Sequence, residues 1–101
     1  MVKKLENTQE FEEFISGDIC LVDFYATWCG PCKMLAPTIE KLSDAGIKCG
    51  KIDTDENINL ALKYGINAIP CVILFKNGKE VDKSIGYVEY DELLNLVNKN
   101  K

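Results

Sequence analysis

Two cysteines separated by two residues, Cys29 and Cys32, form the clearest chemical motif in this sequence of 101 residues. A Cys-x-x-Cys pair serves either zinc binding or thiol–disulfide exchange. A structural zinc site needs four ligands, usually from two such pairs or from one pair with histidines. The chain has no histidine, and Cys20, Cys49 and Cys71 form no second close pair. We therefore expect redox chemistry at this pair and no bound metal.

The residues that follow the motif predict a helix over 31–45, and this helix explains how a thiol there becomes reactive. Cys29 would end the preceding loop, and Cys32 would lie in the first helical turn. Unpaired N–H groups and the positive end of the helix dipole favour a thiolate on Cys29. Pro31 suits a first turn because it lacks the N–H that would be left unpaired. Gly30 lets the backbone of a substrate approach closely.

Asp23 is a second candidate for chemistry. It is the only residue with a charged side chain in Ile19–Ala26, a nearly continuous apolar run that predicts a strand covered on both faces. Burial disfavours a carboxylate and raises its pKa, which suits a group that passes a proton to or from a thiol. The alternative is a structural Asp23 paired with Lys51, and the residues alone do not separate the two.

The other elements must position these residues. Helices are predicted from Asn7 to Ile15, from Asn57 to Gly65 and from Glu89 to Asn98, and strands over 47–52, 72–75 and 81–85. Lys76–Lys79, with Asn-Gly at its centre, predicts a hairpin turn. The element order β-α-β-α-β-α-β-β-α predicts an α/β fold, a mixed sheet sandwiched between helices, in one domain over residues 1–101. The residues expected on the buried side of the helix over 31–45 are Met34, Leu35, Ile39 and Leu42.

The composition limits the class of protein. A formal net charge of −4, with no Lys/Arg cluster among aromatics, argues against nucleic acid as the main partner. No apolar run is long enough to span a membrane, and the charged N-terminal residues are unlike a signal peptide. Five cysteines at scattered spacings do not suit a structural disulfide framework. We expect a cytoplasmic protein, and we expect it to be a monomer.

Several segments resemble the thioredoxin family, and together they span essentially the whole chain. They are Val22–Lys33, which contains Trp-Cys-Gly-Pro-Cys, then Ala68–Pro70, which resembles the cis-proline loop, and finally Phe75–Gly78 and Ile85–Gly86, which resemble the hairpin and the closing glycine. The resemblance implies the thioredoxin fold and thiol–disulfide exchange. It also implies a cis bond before Pro70, whereas the general rarity of cis X-Pro bonds favours trans.

The resemblance also implies roles for individual residues. Cys29 would be an exposed nucleophile that forms a mixed disulfide with a substrate protein, and Cys32 a buried thiol that resolves it. Asp23 would be a buried carboxyl behind Cys32 that transfers a proton, with Lys51 nearby to modulate it. The residues implied to form an apolar docking surface are Trp28, Gly30, Pro31, Ile69, Pro70, Gly86 and Tyr87.

Cys71 departs from the family pattern, in which Thr or Ser commonly follows the cis-proline. The simplest interpretation is a small buried hydrophobe, the usual state of a free cysteine. Alternatively, Cys71 tunes the redox potential or forms a different disulfide. A third possibility is an iron–sulfur cluster held by Cys29, Cys32 and Cys71. Cys20 and Cys49 are expected to be core thiols.

As a function, the resemblance implies a protein-disulfide reductase with no cofactor beyond its own Cys29–Cys32 disulfide. A thioredoxin reductase, a flavoprotein of unspecified electron source, would re-reduce it, and disulfide-containing proteins would be its clients. An oxidant or isomerase is one alternative, although Gly30 and Pro31 between the cysteines favour the reducing side. The other alternative is a redox-dependent binding subunit in which turnover is incidental.

Overall fold

The computed structural model describes residues 1–101 and has nine elements in the predicted order. They are β1 (Lys3–Lys4), α1 (Thr8–Ile15), β2 (Cys20–Tyr25), α2 (Gly30–Asp44), β3 (Cys49–Asp53), α3 (Ile58–Lys63), β4 (Cys71–Lys76), β5 (Lys79–Ile85) and α4 (Tyr90–Lys99). The bounds predicted from the sequence differ from these by no more than two residues. The predicted order begins with a strand without stated residues, and the structure places this strand, β1, at Lys3–Lys4. None of the four helices is both long enough and apolar enough to cross a membrane.

The five strands form one mixed sheet in the order β1-β3-β2-β4-β5. β2 lies at its centre, parallel to β3 and antiparallel to β4. Because β2 and β4 run in opposite directions, the end of β2 lies beside the start of β4, and Phe24 is opposite Cys71. This register brings the Ile69–Pro70 loop to the same edge of the sheet as the cysteine pair. The sheet is thus the frame that assembles the site.

Helices cover both faces of the sheet, as predicted. Successive strand residues point to opposite faces, so each buried strand contributes to two separate hydrophobic clusters. The cluster under α1 and α3 includes Phe11, Phe24, Leu60 and Phe75. The cluster under α2 and α4 includes Leu35, Ile39, Leu42, Leu93 and Val97.

The helix α2 begins at the cysteine pair and packs on the sheet with one stripe. Its buried residues are Cys32, Leu35, Ile39 and Leu42. Met34 was expected on this side, and that prediction is wrong, because 63% of Met34 is exposed. At about 100° per residue, Met34 lies well away from the stripe that runs from Cys32 to Leu42. Apolar character alone does not distinguish the two sides of a helix.

The turn between β4 and β5 is the predicted Asn-Gly hairpin. Asn77 and Gly78 both have positive φ, at 55° and 82°. Two central residues with positive φ match the twist of the strands they connect, which is why Asn-Gly is favoured there. The N–H groups of Asn77 and Gly78 donate to carbonyls of Gly17 and Ile15, both at 2.8 Å, which fastens the hairpin to the end of α1.

Candidate active site

Cys29 and Cys32 are joined by a disulfide at the N-terminus of α2, with their Cα atoms 5.3 Å apart. Cys29 is the N-cap residue of the helix, and its Sγ accepts a hydrogen bond from the backbone N–H of Cys32 at 3.2 Å. The predicted helix start is therefore confirmed, with a sulfur in the position where N-cap oxygens usually lie. Negative charge on Cys29 would be stabilised by this N–H and by the helix dipole.

The expectation that Cys29 is exposed is wrong for this disulfide-bonded state. Only 4% of Cys29 and 3% of Cys32 is exposed. The two cysteines form a small buried cluster with Ala26, against which Tyr25 and Ile69 pack. Sequence patterns could not show this, because one of the covering residues, Ile69, comes from a loop distant in sequence.

That loop is the segment before β4. The Ile69–Pro70 peptide bond is cis, as the family resemblance implied. Cys29 Sγ lies 3.9 Å from the carbonyl oxygen of Ile69. Pro70 is buried, and its carbonyl accepts a hydrogen bond from the N–H of Gly86 at 2.7 Å. The loop therefore lies directly against the disulfide and is held in place by the end of β5.

Trp28 is the most exposed aromatic residue beside the disulfide, with 69% of its surface accessible. Its indole Nε1 donates a hydrogen bond of 2.8 Å to the carboxylate of Asp55. Sequence reasoning missed Asp55. The signal that could have found it is the parallel pairing of β2 and β3, since the ends of parallel neighbours meet at the same edge of a sheet. Asp55 follows β3 as Trp28 follows β2.

Of the remaining residues of the expected docking surface, Gly30 and Pro31 lie between the two cysteines, and Gly86 and Tyr87 follow β5. Gly30 and Pro31 are exposed, and a Cβ added to Gly30 would have no atom within 4 Å. Gly86 has a φ of +87°, a conformation that favours glycine. Tyr87 is 39% exposed. Exposed surface therefore lies next to the cysteine pair at Gly30 and Pro31.

Asp23 lies in the interior, next to the same pair. Only 4% of the residue is exposed, and its Oδ1 has no hydrogen-bond partner. Asp23, Tyr25, Cys32 and Lys51 all line one cavity of about 260 Å³. The expectation that Asp23 lies behind Cys32 with Lys51 nearby is therefore met by the arrangement.

Burial raises the pKa of Asp23 from its ordinary value of 3.8 to about 7, and the positive charge of Lys51 acts in the opposite direction. The structural alternative, in which the two form an ion pair, is wrong, because the four ion pairs of the protein include neither residue. Lys51 Nζ instead lies 5.8 Å from the centre of the Tyr25 ring. Asp23 is a buried carboxyl that changes its protonation state near neutral pH.

Cys71 packs in the hydrophobic cluster under α1 and α3, with 2% of its surface exposed. Burial raises the pKa of its thiol, which keeps it protonated. No group of three or more Cys, His, Asp or Glu side chains is arranged to hold a metal ion, so the iron–sulfur cluster on Cys29, Cys32 and Cys71 has no support in the structure. Cys20 and Cys49 are buried core thiols, as predicted.

Comparison with known proteins agrees with the site. The thioredoxin family model matches residues 2–99. A thioredoxin of Chlamydia caviae is 41% identical over 99 residues, which are 96% of this chain and 97% of that protein. A mutant thioredoxin of Halobacterium salinarum has a TM-score of 0.92 at 37% identity, covering 96% of this chain and 88% of that one. Another similar chain comes from a structure that concerns the thiol resolving mechanism in yeast mitochondrial 1-Cys peroxiredoxin via glutathione/thioredoxin systems. It has a TM-score of 0.88 at 36% identity, and the match covers 97% of this chain and 94% of that one.

The predicted fold is confirmed, since such structural neighbours are thioredoxins. The redox interpretation of the cysteine pair is confirmed by the same relatives and by the disulfide between Cys29 and Cys32. The chain belongs to the thioredoxin family and is a thiol–disulfide oxidoreductase, a protein-disulfide reductase that carries electrons through this pair.

Proposed function

We propose that the two cysteines divide the work, with Cys29 attacking the client and Cys32 resolving the mixed disulfide. The observation that carries this proposal is that the two sulfurs have different surroundings. Cys29 Sγ lies beside the helix N-terminus and the Ile69 carbonyl. Cys32 lines the cavity that holds the Asp23 carboxyl. Only Cys32 therefore has a proton acceptor beside it.

In the first step, the Cys29 thiolate attacks one sulfur of a client disulfide. A bond forms between Cys29 and that sulfur, the client disulfide breaks, and the other client sulfur leaves as a thiolate that takes a proton from water. In the second step, Cys32 gives its proton to Asp23 and attacks the Cys29 sulfur. The Cys29–client bond breaks and the second client thiolate leaves. Two electrons have moved to the client, and the Cys29–Cys32 disulfide is left.

The protonation of Asp23 suits this step. With a pKa of about 7, a substantial fraction of Asp23 is ionised at neutral pH and can accept the Cys32 proton. A lower thiol pKa at Cys29 raises the thiolate fraction but weakens the nucleophile, with a Brønsted coefficient of about 0.4–0.5. Acidity therefore gives only a modest net gain in rate, and client docking must supply the rest.

Docking is proposed for the surface formed by Trp28, Gly30, Pro31, Ile69, Pro70, Gly86 and Tyr87. Ile69 forms no backbone–backbone hydrogen bond, although its carbonyl lies beside the reactive sulfur. Unpaired backbone groups at such a position suit an extended client segment that pairs with them as a strand would. The exposed ring of Trp28 supplies apolar contact area next to the sulfur.

The proposal extends to partners and setting. A flavoprotein thioredoxin reductase would regenerate the dithiol by the reverse steps, and clients would be proteins with accessible disulfides. Peroxiredoxins are one candidate class, since one structural neighbour concerns peroxiredoxin thiol resolving. No cofactor is required, because the two sulfurs carry both electrons. Three free buried thiols beyond the redox pair suit a reducing compartment such as the cytoplasm. The protein would act as a monomer, which leaves the docking surface open.

Cys71 enters the proposal as a modulator of redox potential. Its thiol follows Pro70 directly and is too deeply buried to exchange, so it would act through packing beneath the loop that covers Cys29. The midpoint potentials of wild type and Cys71→Ser should then differ. Identical potentials would leave Cys71 as a core residue only.

The division of labour is tested by trapping. Cys32→Ser should accumulate client proteins, and the reductase, as mixed disulfides on Cys29, because the resolving thiol is missing. Cys29→Ser is the matched control, with the same loss of one sulfur at the start of α2. The trapped species are counted on a non-reducing gel and identified by mass spectrometry. Equal trapping by the two variants would contradict the assignment of Cys29 as nucleophile.

A further inference from the structure

Three side chains share one side of the sheet beside the cysteine pair. Asp23 on β2 is directly opposite Lys51 on β3. Tyr25 is two residues beyond Asp23 on β2, so its side chain points to the same face. All three line the cavity that Cys32 also lines. Lys51 therefore has two possible partners for its ammonium group, a carboxyl and an aromatic ring.

The ammonium group of Lys51 lies over the aromatic ring and forms no ion pair. Lys51 Nζ lies 5.8 Å from the centre of the Tyr25 ring, within the range of cation–π attraction. Asp23 is in no ion pair, and its Oδ1 has no hydrogen-bond partner. A lysine side chain is long and flexible, and the opposite position in the sheet would allow it to turn towards the carboxyl. The ring is the structural feature that competes for it.

We propose that Tyr25 is a positioning residue for the proton-transfer step, whose ring holds the Lys51 ammonium away from the Asp23 carboxyl. This proposal rests on the proposed role of Asp23 as acceptor of the Cys32 proton. An ammonium in direct contact would stabilise the carboxylate and make it a weaker base. With the ammonium held over the ring, Asp23 stays basic enough to accept a proton near neutral pH.

Other charged groups also surround this cluster. Those that line the two cavities at Asp23 are Lys33 and Glu40, both on α2. Those that act electrostatically on the Tyr25 hydroxyl are Lys4, Asp53 and Glu56. Lys4 Nζ is engaged with Glu56 at 3.5 Å and with Glu6 at 4.0 Å. Of these cations, Lys51 is the one whose ammonium lies over the Tyr25 ring, so it is the one that removal of the ring would release.

The test is the pKa of Asp23, measured by carboxyl 13C NMR titration of the oxidised protein. Tyr25→Leu removes the ring, and the pKa of Asp23 should fall by about 0.5, the size of an exposed cation–π attraction. Tyr25→Phe is the matched control, since it keeps the ring face and loses only the hydroxyl, and it should leave this pKa unchanged. If Tyr25→Leu does not fold, Tyr25→Met provides an aliphatic side chain closer in length. An unchanged pKa in the folded aliphatic variant would overturn the proposal.

Removing the ring could also lower this pKa by admitting water to the cavity. The Lys51→Met background separates the two causes. If Tyr25 acts through Lys51, then Tyr25→Leu has no further effect on the pKa of Asp23 in that background. An equal fall with and without Lys51 would assign the effect to hydration and overturn the proposal.

The exchange rate of the same variants tests the proposed function separately. A pKa that falls as expected, with an unchanged profile of rate against pH, would support the position of Lys51 and contradict the role of Asp23 as proton acceptor. A pKa that falls together with a shift of the profile to lower pH supports both.

Discussion

Asp23, in β2, and Asp53, at the end of β3, are buried to nearly the same degree, with 4% and 5% of their surface exposed. Their surroundings differ. Asp53 Oδ1 accepts hydrogen bonds from the N–H groups of Asp55 at 2.8 Å and Glu56 at 3.4 Å, and so shapes the turn after β3. Asp23 Oδ1 has no partner and faces the cavity beside Cys32.

The difference shows that burial alone does not identify a functional carboxyl. A buried carboxylate with N–H donors is stabilised in its charged form and contributes to folding. A buried carboxyl without donors is costly to ionise and therefore exchanges protons near neutral pH. The two regions also cooperate, because the turn ordered by Asp53 presents Asp55 to the indole of Trp28.

The largest expected effect is on stability, for Asp23→Asn. Asp23 keeps its proton up to about pH 7 in the folded protein and loses it near pH 3.8 when unfolded. The folded state therefore binds more protons between these values, and the wild-type free energy of unfolding falls as the pH rises through this window. The free energy of unfolding of oxidised Asp23→Asn minus that of oxidised wild type should be larger above pH 7 than at pH 3, by up to about 4 kcal/mol. Urea unfolding at both pH values measures this, and a difference independent of pH would contradict it.

The next effect is on the rate of exchange. Asp23→Asn removes the proton acceptor beside Cys32, and resolution of the mixed disulfide should slow by about 10–100-fold. This is at or below the low end of the usual range for general bases, because water can reach the cavity. The rise in wild-type rate with pH around pH 7 should disappear with it. Rapid-mixing kinetics on a preformed mixed disulfide measure this step. Asp53→Asn is the control, and a similar slowing there would mean that any buried carboxyl near the site has this effect.

Stability should respond to Asp53→Asn in the opposite direction. The amide is a neutral acceptor for the N–H groups of Asp55 and Glu56, and neutral acceptors contribute less than charged ones. We expect a loss of roughly 1 kcal/mol at neutral pH, measured by urea unfolding. A gain in stability, as expected for Asp23→Asn, would erase the distinction between the two carboxyls.

The smallest effect concerns the link between the two regions. Asp55→Ala removes the acceptor for the Trp28 indole, and the KM for a protein client should rise by roughly fivefold with kcat unchanged, as loss of one hydrogen bond predicts. Glu56→Ala is the matched control, with the same change of charge in the same turn but no contact with Trp28. The KM of each variant is measured by steady-state reduction of a protein disulfide. Equal KM values for Asp55→Ala and Glu56→Ala would show that the loss of charge, and not the loss of the hydrogen bond, causes the change.

Much of the fold could be predicted from short segments of the sequence. The nine-element order, the Asn-Gly hairpin and the helix that begins at the cysteine pair follow from residue patterns a few positions long. Such patterns reflect short-range physics, namely the period of apolar residues, the backbone freedom of glycine and the missing N–H of proline. The family resemblance added the cis bond before Pro70, which the residues alone did not favour.

The failures share a cause. Met34 is exposed, Cys29 is covered and Asp55 reaches Trp28, and each of these depends on which elements are neighbours in space. Met34 lies off the stripe that meets the sheet, Cys29 lies under the Ile69 loop, and Asp55 follows a strand parallel to the one before Trp28. No local pattern contains that information.

The cysteine pair, its helix and an isolated acid in an apolar strand were therefore determined by the sequence itself, because each is a property of consecutive residues. The surroundings of that acid were decided by the tertiary structure. Only the sheet places Lys51 opposite Asp23, and only the packed side chains leave Lys51 over the Tyr25 ring and the Asp23 carboxyl without a partner. Desolvation depends on contacts distant in sequence, and it raises the pKa of Asp23 to about 7, against the opposing charge of Lys51.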